Sequence, residues 1–232
     1  MSPNHSKKLL ASLEKVRESS GKPDRSSETR ELILATAERL FAQHGVEAVS
    51  NRQVSEAAGQ SNNFAVGYHF GTKDDLVVAI VRRQSEPIER RRIDMLAKVS
   101  GSPELRDWVS CLVRPITEHL AAQGSPTWYA RFIAQVMTHP SLRKLVVNEA
   151  VSSRPMQQTI EGTLRLVPQL PHDVRQERSD MSRLLIVHMC AERERALHEG
   201  AATPHSTWAS AATGLIDGLV GLWLAPITAR HD

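Results

Sequence analysis

Residues 48–76, AVSNRQVSEAAGQSNNFAVGYHFGTKDDL, read as two short helices joined by a tight glycine turn. Ser50 is a natural N-cap with Gln53 three residues on, the capping-box pattern. Val54, Ala57 and Ala58 supply a small apolar stripe at helical spacing, and Gly59 can take the positive φ of a helix end. Ser61 is expected to cap the next helix, whose first turn is Asn62-Asn63-Phe64-Ala65. Phe64 is read as its inward anchor, with Asn62 and Asn63 pointing outward. A second helix held by small apolar contacts and leading with exposed amides suits insertion into a DNA major groove. The stretch is a helix-turn-helix.

Outside it the chain looks helical throughout. A first helix is expected from about Ser27 to His44, with Leu32, Ile33, Ala37, Leu40 and Phe41 inward and Gly45 ending it. Thr72 and Asp75 make a second capping box for a fourth helix, which Pro87 should kink or end. The run Arg82, Arg83, Arg90, Arg91 and Arg92 is read as a solvated face. Beyond it, helices follow one another between stops: Ser102-Pro103-Glu104, Gly124-Ser125-Pro126, Pro140, Pro155, Pro168 and Pro171, Gly200 and Pro204. No strand alternation and no internal repeat interrupts them. The expected fold class is all-α: an N-terminal three-helix helix-turn-helix domain (28–76) and a C-terminal helical bundle that dimerises (77–232). Residues 1–27 form an arm, either a frayed tail or a basic segment adding phosphate contacts.

Composition bounds the function. With 41% hydrophobic residues and no stretch near eighteen uninterrupted apolar residues, a membrane span is not expected. The N-terminus lacks the apolar core of a secretory signal. Cys111 and Cys190 lie inside apolar helical patterns and are read as buried reduced thiols, so a cytoplasmic location is expected. The net charge of +3 equals the excess of the arm alone, where Lys7, Lys8, Lys15, Arg17, Lys22 and Arg25 face Glu14, Glu18 and Asp24. The helix-turn-helix is near neutral, so specificity rests on placing a few groups rather than on a general field. There is no HExxH, paired CxxC, phosphate loop or GxSxG, and His188 and Cys190 point to different helix faces. Catalysis, a metal site and a cofactor are not expected.

The segment from Thr29 to about Arg83 resembles the DNA-binding domain of the TetR family of transcriptional repressors. The residues that carry the resemblance are Ile33-Leu34-Ala35-Thr36-Ala37 with Leu40-Phe41 and His44-Gly45, then Arg52, Val54, Ala57 and Gly59, then Tyr68-His69-Phe70 followed by Lys73-Asp74-Asp75-Leu76. From Ala58 to Phe70 the chain has one residue more than the family's commonest version, which is read as a longer third helix. Gly67 stands where many members have an aromatic residue or leucine. The resemblance implies a homodimer binding a pseudo-palindromic DNA operator, with an unknown small-molecule effector held among the C-terminal helices. Asn62 and Asn63 are the candidates for base readout; Ser50, Arg52, Ser61, Tyr68, His69 and Lys73 are the candidates for phosphate contact and positioning.

Trp108, Trp128, Phe132, Met137, Met156 and Met181 are candidate pocket residues by type, joined by Arg131 and His188 as polar groups on apolar helices; core packing explains each as well. The last helix carries Gly214, Gly218, Gly221 and Leu222. Glycine costs roughly 1 kcal/mol against alanine in a helix, so the repetition implies close backbone approach, at an intrachain crossing or, as the resemblance implies, a dimer seam. Two other functions stay open: a ligand-independent regulator or activator, and a small-molecule-binding helical protein that binds no operator.

Overall fold

The computed structural model describes residues 25–228, and every regular element among them is a helix. The expectation for the arm falls outside the described residues, except that Arg25 to Ser27 open the first helix, α1 (Arg25–His44). Three short elements follow: α2 (Asn51–Ala57), α3 (Ala65–Phe70) and the start of α4 (Lys73–Val99). The rest comprises α5 (Leu105–Ala122), α6 (Tyr129–Met137), α7 (Pro140–Ser152), α8 (Arg154–Arg165), α9 (His172–His198) and α10 (Trp208–Leu224).

Local chemistry sets the boundaries. Ser50 Oγ accepts from Gln53 N at 3.2 Å while Ser50 N donates to Gln53 Oε1 at 2.8 Å. Thr72 and Asp75 repeat the exchange at the head of α4, and Thr207 and Ser210 at the head of α10. These reciprocal bonds satisfy amide donors that a helix start otherwise leaves unpaired. The hydroxyl and amide of Thr72 also hold the Asp75 carboxyl below its ordinary range.

Two apolar clusters bind the helices. One runs from Ile33, Leu34 and Phe41 of α1 through Val54, Val66, Leu76 and Ile80 to Phe132, Val136 and Ala191. It joins the N-terminal helices to α6 and α9 with no break at residue 76. Phe41 and Phe132 stack within it at 6.2 Å. The second cluster joins α5 to α10 through Val109, Val113, Ala212, Ile216, Leu219 and Trp223.

Several expectations need correction. Leu32 is half exposed, because the buried stripe of α1 passes through Ile33, Leu34 and Ala37 instead. Pro87 does not end α4. An interior proline costs about 3 kcal/mol, and α4 is held along its length by α1, α5, α7 and α8. Arg92 is buried, not solvated: its Nε donates to Glu89 Oε1 at 2.9 Å and its Nη1 bonds the Cys111 carbonyl. Arg83 bonds Glu38 of α1 at 2.7 Å, and Arg82 bonds Glu149 of α7 at 2.7 and 3.0 Å.

Candidate nucleic-acid interface and internal cavity

The second helix of the pair is six residues long and starts three residues later than expected, at Ala65. Its inner face is Ala65 and Val66, both buried against the α1–α2 core, and Phe64 is 80% exposed rather than an anchor. The cause lies in the turn. Gly59 takes φ 66°, and Asn62 Oδ1 accepts the Phe64 amide at 2.9 Å in an Asx turn ahead of the helix; Phe64 takes the N-cap position that Ser61 was expected to fill, without a side-chain cap. The additional residue between Ala58 and Phe70 therefore lengthens the turn, not the helix.

Ser55 of α2 fixes the two helices together. It is fully buried, donates to the Asn51 carbonyl at 3.1 Å and accepts Val66 N at 3.3 Å. Beyond that anchor, Asn63, Phe64, Gly67 and Tyr68 are all exposed. Phe64 and Tyr68, one turn apart, present 80% and 83% of their surface, an aromatic pair that nothing among the described residues covers. The outward position of Tyr68 carried the signal for Phe64, since residues four apart share a helix face.

The positioning candidates fall around this face. Ser50 is spent on its capping box, Arg52 is exposed with Nε 2.7 Å from Glu56, and Ser61 is exposed. His69 is half-buried and meets the Tyr68 ring edge-on at 5.0 Å. Lys73 donates from Nζ to the Val46 carbonyl at 3.1 Å, tying the start of α4 to the loop after α1. An ammonium has three donors, so two remain for other acceptors.

Behind the head sits a buried polar joint that the residue pattern did not reveal. Glu38 of α1 accepts from Gln84 Nε2 at 2.7 Å, and Gln84 Oε1 lies 2.7 Å from both His119 Nε2 and Gln123 Nε2 of the α5 end. Burial pushes the Glu38 carboxyl up. Burial, with a smaller effect of Arg91, brings His119 down to about 4.

The joint is next to a cleft of about 690 Å³ lined by α4 to α9 with Trp223 of α10 and open to solvent on one side. Of the eight pocket candidates, Met137 and Met156 line it and six do not. Trp108 sits in a notch over Gly162 with Nε1 on the Ser102 carbonyl at 3.1 Å. Trp128 lies against Arg131, and Phe132 is in the core. Arg131 and Glu194 pair at 3.2 Å, and Glu194 also accepts Ala130 N and Arg131 N, so this pair caps α6 instead of meeting a ligand. Met181 and His188 are exposed on α9 beside Leu184, Leu185 and Met189.

α10 packs on α5 through its other face. Among the described residues a Cβ built at Gly218 or Gly221 meets nothing within 4 Å, so no crossing among them accounts for these two glycines. A Cβ at Gly214 would lie 3.0 Å from His205 Nε2, a tight contact, and Leu222 is half-buried against the second cluster. Among the described residues no helix is long and apolar enough to cross a membrane, and no group of three or more His, Cys, Asp or Glu is placed to hold a metal.

Comparison with known proteins identifies the family. The family model for bacterial regulatory proteins of the tetR family matches residues 33–80. The chain is 31% identical over 147 residues to the HTH-type transcriptional repressor AcnR of Corynebacterium glutamicum, covering 61% of this chain and 72% of that protein. It is 36% identical over 78 residues to the HTH-type transcriptional regulator AcrR of Shigella flexneri, covering 34% of this chain and 36% of that protein. The crystal structure of the multidrug binding protein EbrR complexed with imidazole superposes with a TM-score of 0.46 at 23% identity, over 90% of this chain and 97% of that one. The chain belongs to the TetR family and is a DNA-binding transcriptional regulator.

Proposed function

We propose that the protein is a homodimeric repressor that leaves its operator when a small molecule fills the cavity between α4 and α9. The observation that carries this reading is the course of α4. Its first residue, Lys73, is bonded to the head at Val46, and twelve to nineteen residues later Ser85, Glu89 and Arg92 form the cavity wall. One continuous helix joins the reading head to the cavity, so a ligand that favours one setting of α4 biases the placement of α3. It does so only to the extent of its differential affinity for the two settings. The repressor assignment follows the similarity to AcnR.

In this reading Asn63, Phe64 and Tyr68 face the major groove. The Asn63 amide pairs with adenine, and Phe64 packs on thymine methyl groups, the apolar feature of the groove floor. Asn62 holds the turn through the Phe64 amide and reads bases less. Ser50, Arg52, Ser61, His69 and Lys73 position the head on phosphates. The second subunit covers the exposed face of α10 bearing Gly214, Gly218 and Gly221 and the apolar strip of α9 around Leu185 and Met189. The test is selection of binding duplexes from a random pool, then release of the selected duplex by compounds that protect the protein from thermal unfolding. Tight operator binding that no cavity ligand changes would contradict ligand response.

A further inference from the structure

The lining of the cavity restricts what enters it. Val81, Ile116, Ile133, Val147, Ile160 and Ile186, one from each of α4 to α9, give it an aliphatic wall, and Met137 and Met156 add side chains that adapt their shape. Its charged groups are already paired. Arg92, 3% exposed, holds Glu89 at 2.9 Å; Arg82 holds Glu149 at 2.7 Å; Arg183 holds Asp180 at 3.0 Å; and Glu86 is bonded by Arg90. The hydroxyl groups are spent as well. Ser153 donates to the second oxygen of Glu89 at 2.8 Å, Tyr129 and Ser85 bond each other, and Ser152, Thr163, Ser179 and Ser182 donate to carbonyls of their own helices. The buried donor on this wall without an acceptor is the Trp223 indole Nε1.

We infer that the cavity takes a neutral lipophile: an uncharged, mainly aliphatic or polycyclic molecule with at most one hydrogen-bond-accepting group. This rests on the proposed reading of the cavity as the ligand site. A volume of about 690 Å³ suits a molecule of drug size. An ionised ligand would lose its hydration in exchange for groups whose charges are already neutralised, and a buried charge without a partner is strongly unfavourable. A neutral apolar molecule loses nothing comparable and gains contact with six helices. Selection against charge is thus built from the Arg92–Glu89 pair, whose two members sit on one turn of α4.

The test compares two fluorescent probes of one ring skeleton, neutral N-phenyl-1-naphthylamine and its anionic relative 1-anilinonaphthalene-8-sulfonate, titrated into the full chain. The neutral probe is expected to bind at least tenfold more tightly. Ile160→Trp and Val147→Trp, which fill the cavity from α8 and α7, should each abolish its binding. Glu89→Gln strips Arg92 of its carboxylate and should reduce the preference for the neutral probe tenfold or more. Equal or tighter binding of the sulfonate, no binding of the neutral probe, or binding that survives both filling variants would overturn the inference. Failure of the release mechanism has a different signature, since the neutral probe would then bind in the cavity while operator affinity stayed constant.

Discussion

Phe64 is the residue whose replacement separates a reading surface from a merely exposed one. Its ring makes no packing contact that the fold depends on, being 80% exposed beyond the buried pair Ala65 and Val66. Phe64→Ala should therefore leave stability within about 0.5 kcal/mol of wild type. On DNA the outcome differs. A methyl-sized apolar group taken out of water is worth about 0.8 kcal/mol, close to a fourfold change in affinity per half-site and roughly fifteenfold over two. Replacing the contacted thymines by deoxyuridine removes only those methyl groups, so wild type should lose about that much. Phe64→Ala should then no longer distinguish thymine from deoxyuridine, which makes the pair a double-mutant cycle. Fluorescence anisotropy with a selected operator, at fixed salt, gives all four affinities. Two results would refute the reasoning: a Phe64→Ala variant still sensitive to the methyl groups, or one whose melting temperature falls by several degrees.

Three further outcomes follow from the packing. Gly162→Ala places a Cβ 2.0 Å from Trp108 Cε3, inside a contact that cannot yield without moving α8 off α5. Overpacking of this kind costs roughly 1–3 kcal/mol, or a fall of about 5–10 °C at the upper end for a chain of this size, so an unchanged melting curve would show that the notch relaxes freely. A Cβ at Gly218 meets nothing among the described residues, so for Gly218→Leu light scattering should show loss of the dimer with the monomer still helical by circular dichroism; a variant that stays dimeric puts the seam elsewhere. His119 binds its proton more weakly folded, at about 4, than unfolded, at about 6.5. Its neutral form thus supports the fold above pH 6.5, and that support is lost as pH falls towards 4. Glu38, raised by burial, acts in the opposite sense. Denaturant titrations of wild type and His119→Gln at pH 7, 5 and 4 isolate the histidine: the stability of wild type relative to the variant should fall on acidification, and a constant difference would contradict the burial argument.

The parts of the molecule legible in its residues are those decided within four positions of the chain. The Ser50–Gln53 and Thr72–Asp75 boxes and the Gly59 turn are such features. Phe64 was misread because six residues are too short a helix for its apolar phase to be fixed by spacing. An Asx turn at Asn62, one position after Ser61, precedes the helix, which starts at Ala65 with Phe64 exposed at its N-cap. Residues joined across the chain were harder still. Arg131 looked like a ligand contact because its carboxylate, Glu194, lies 63 residues away. Trp108, Trp128 and Phe132 drew attention by type, yet whether an apolar side chain borders a neighbour or a gap is a property of the packed helices. The cavity wall is made of ordinary isoleucines and valines that no residue pattern distinguishes from core.

The central claim is that this fold presents paired reading heads to DNA. Selecting duplexes from a random pool with the full chain, followed by titration of the enriched sequence and measurement of subunits bound per duplex, tests it most directly. The account predicts an inverted pair of half-sites, about one helical turn apart or a multiple of it, occupied by two subunits for each such pair. Recovery of no enriched sequence, or of a single half-site filled by one subunit with full affinity, would contradict it.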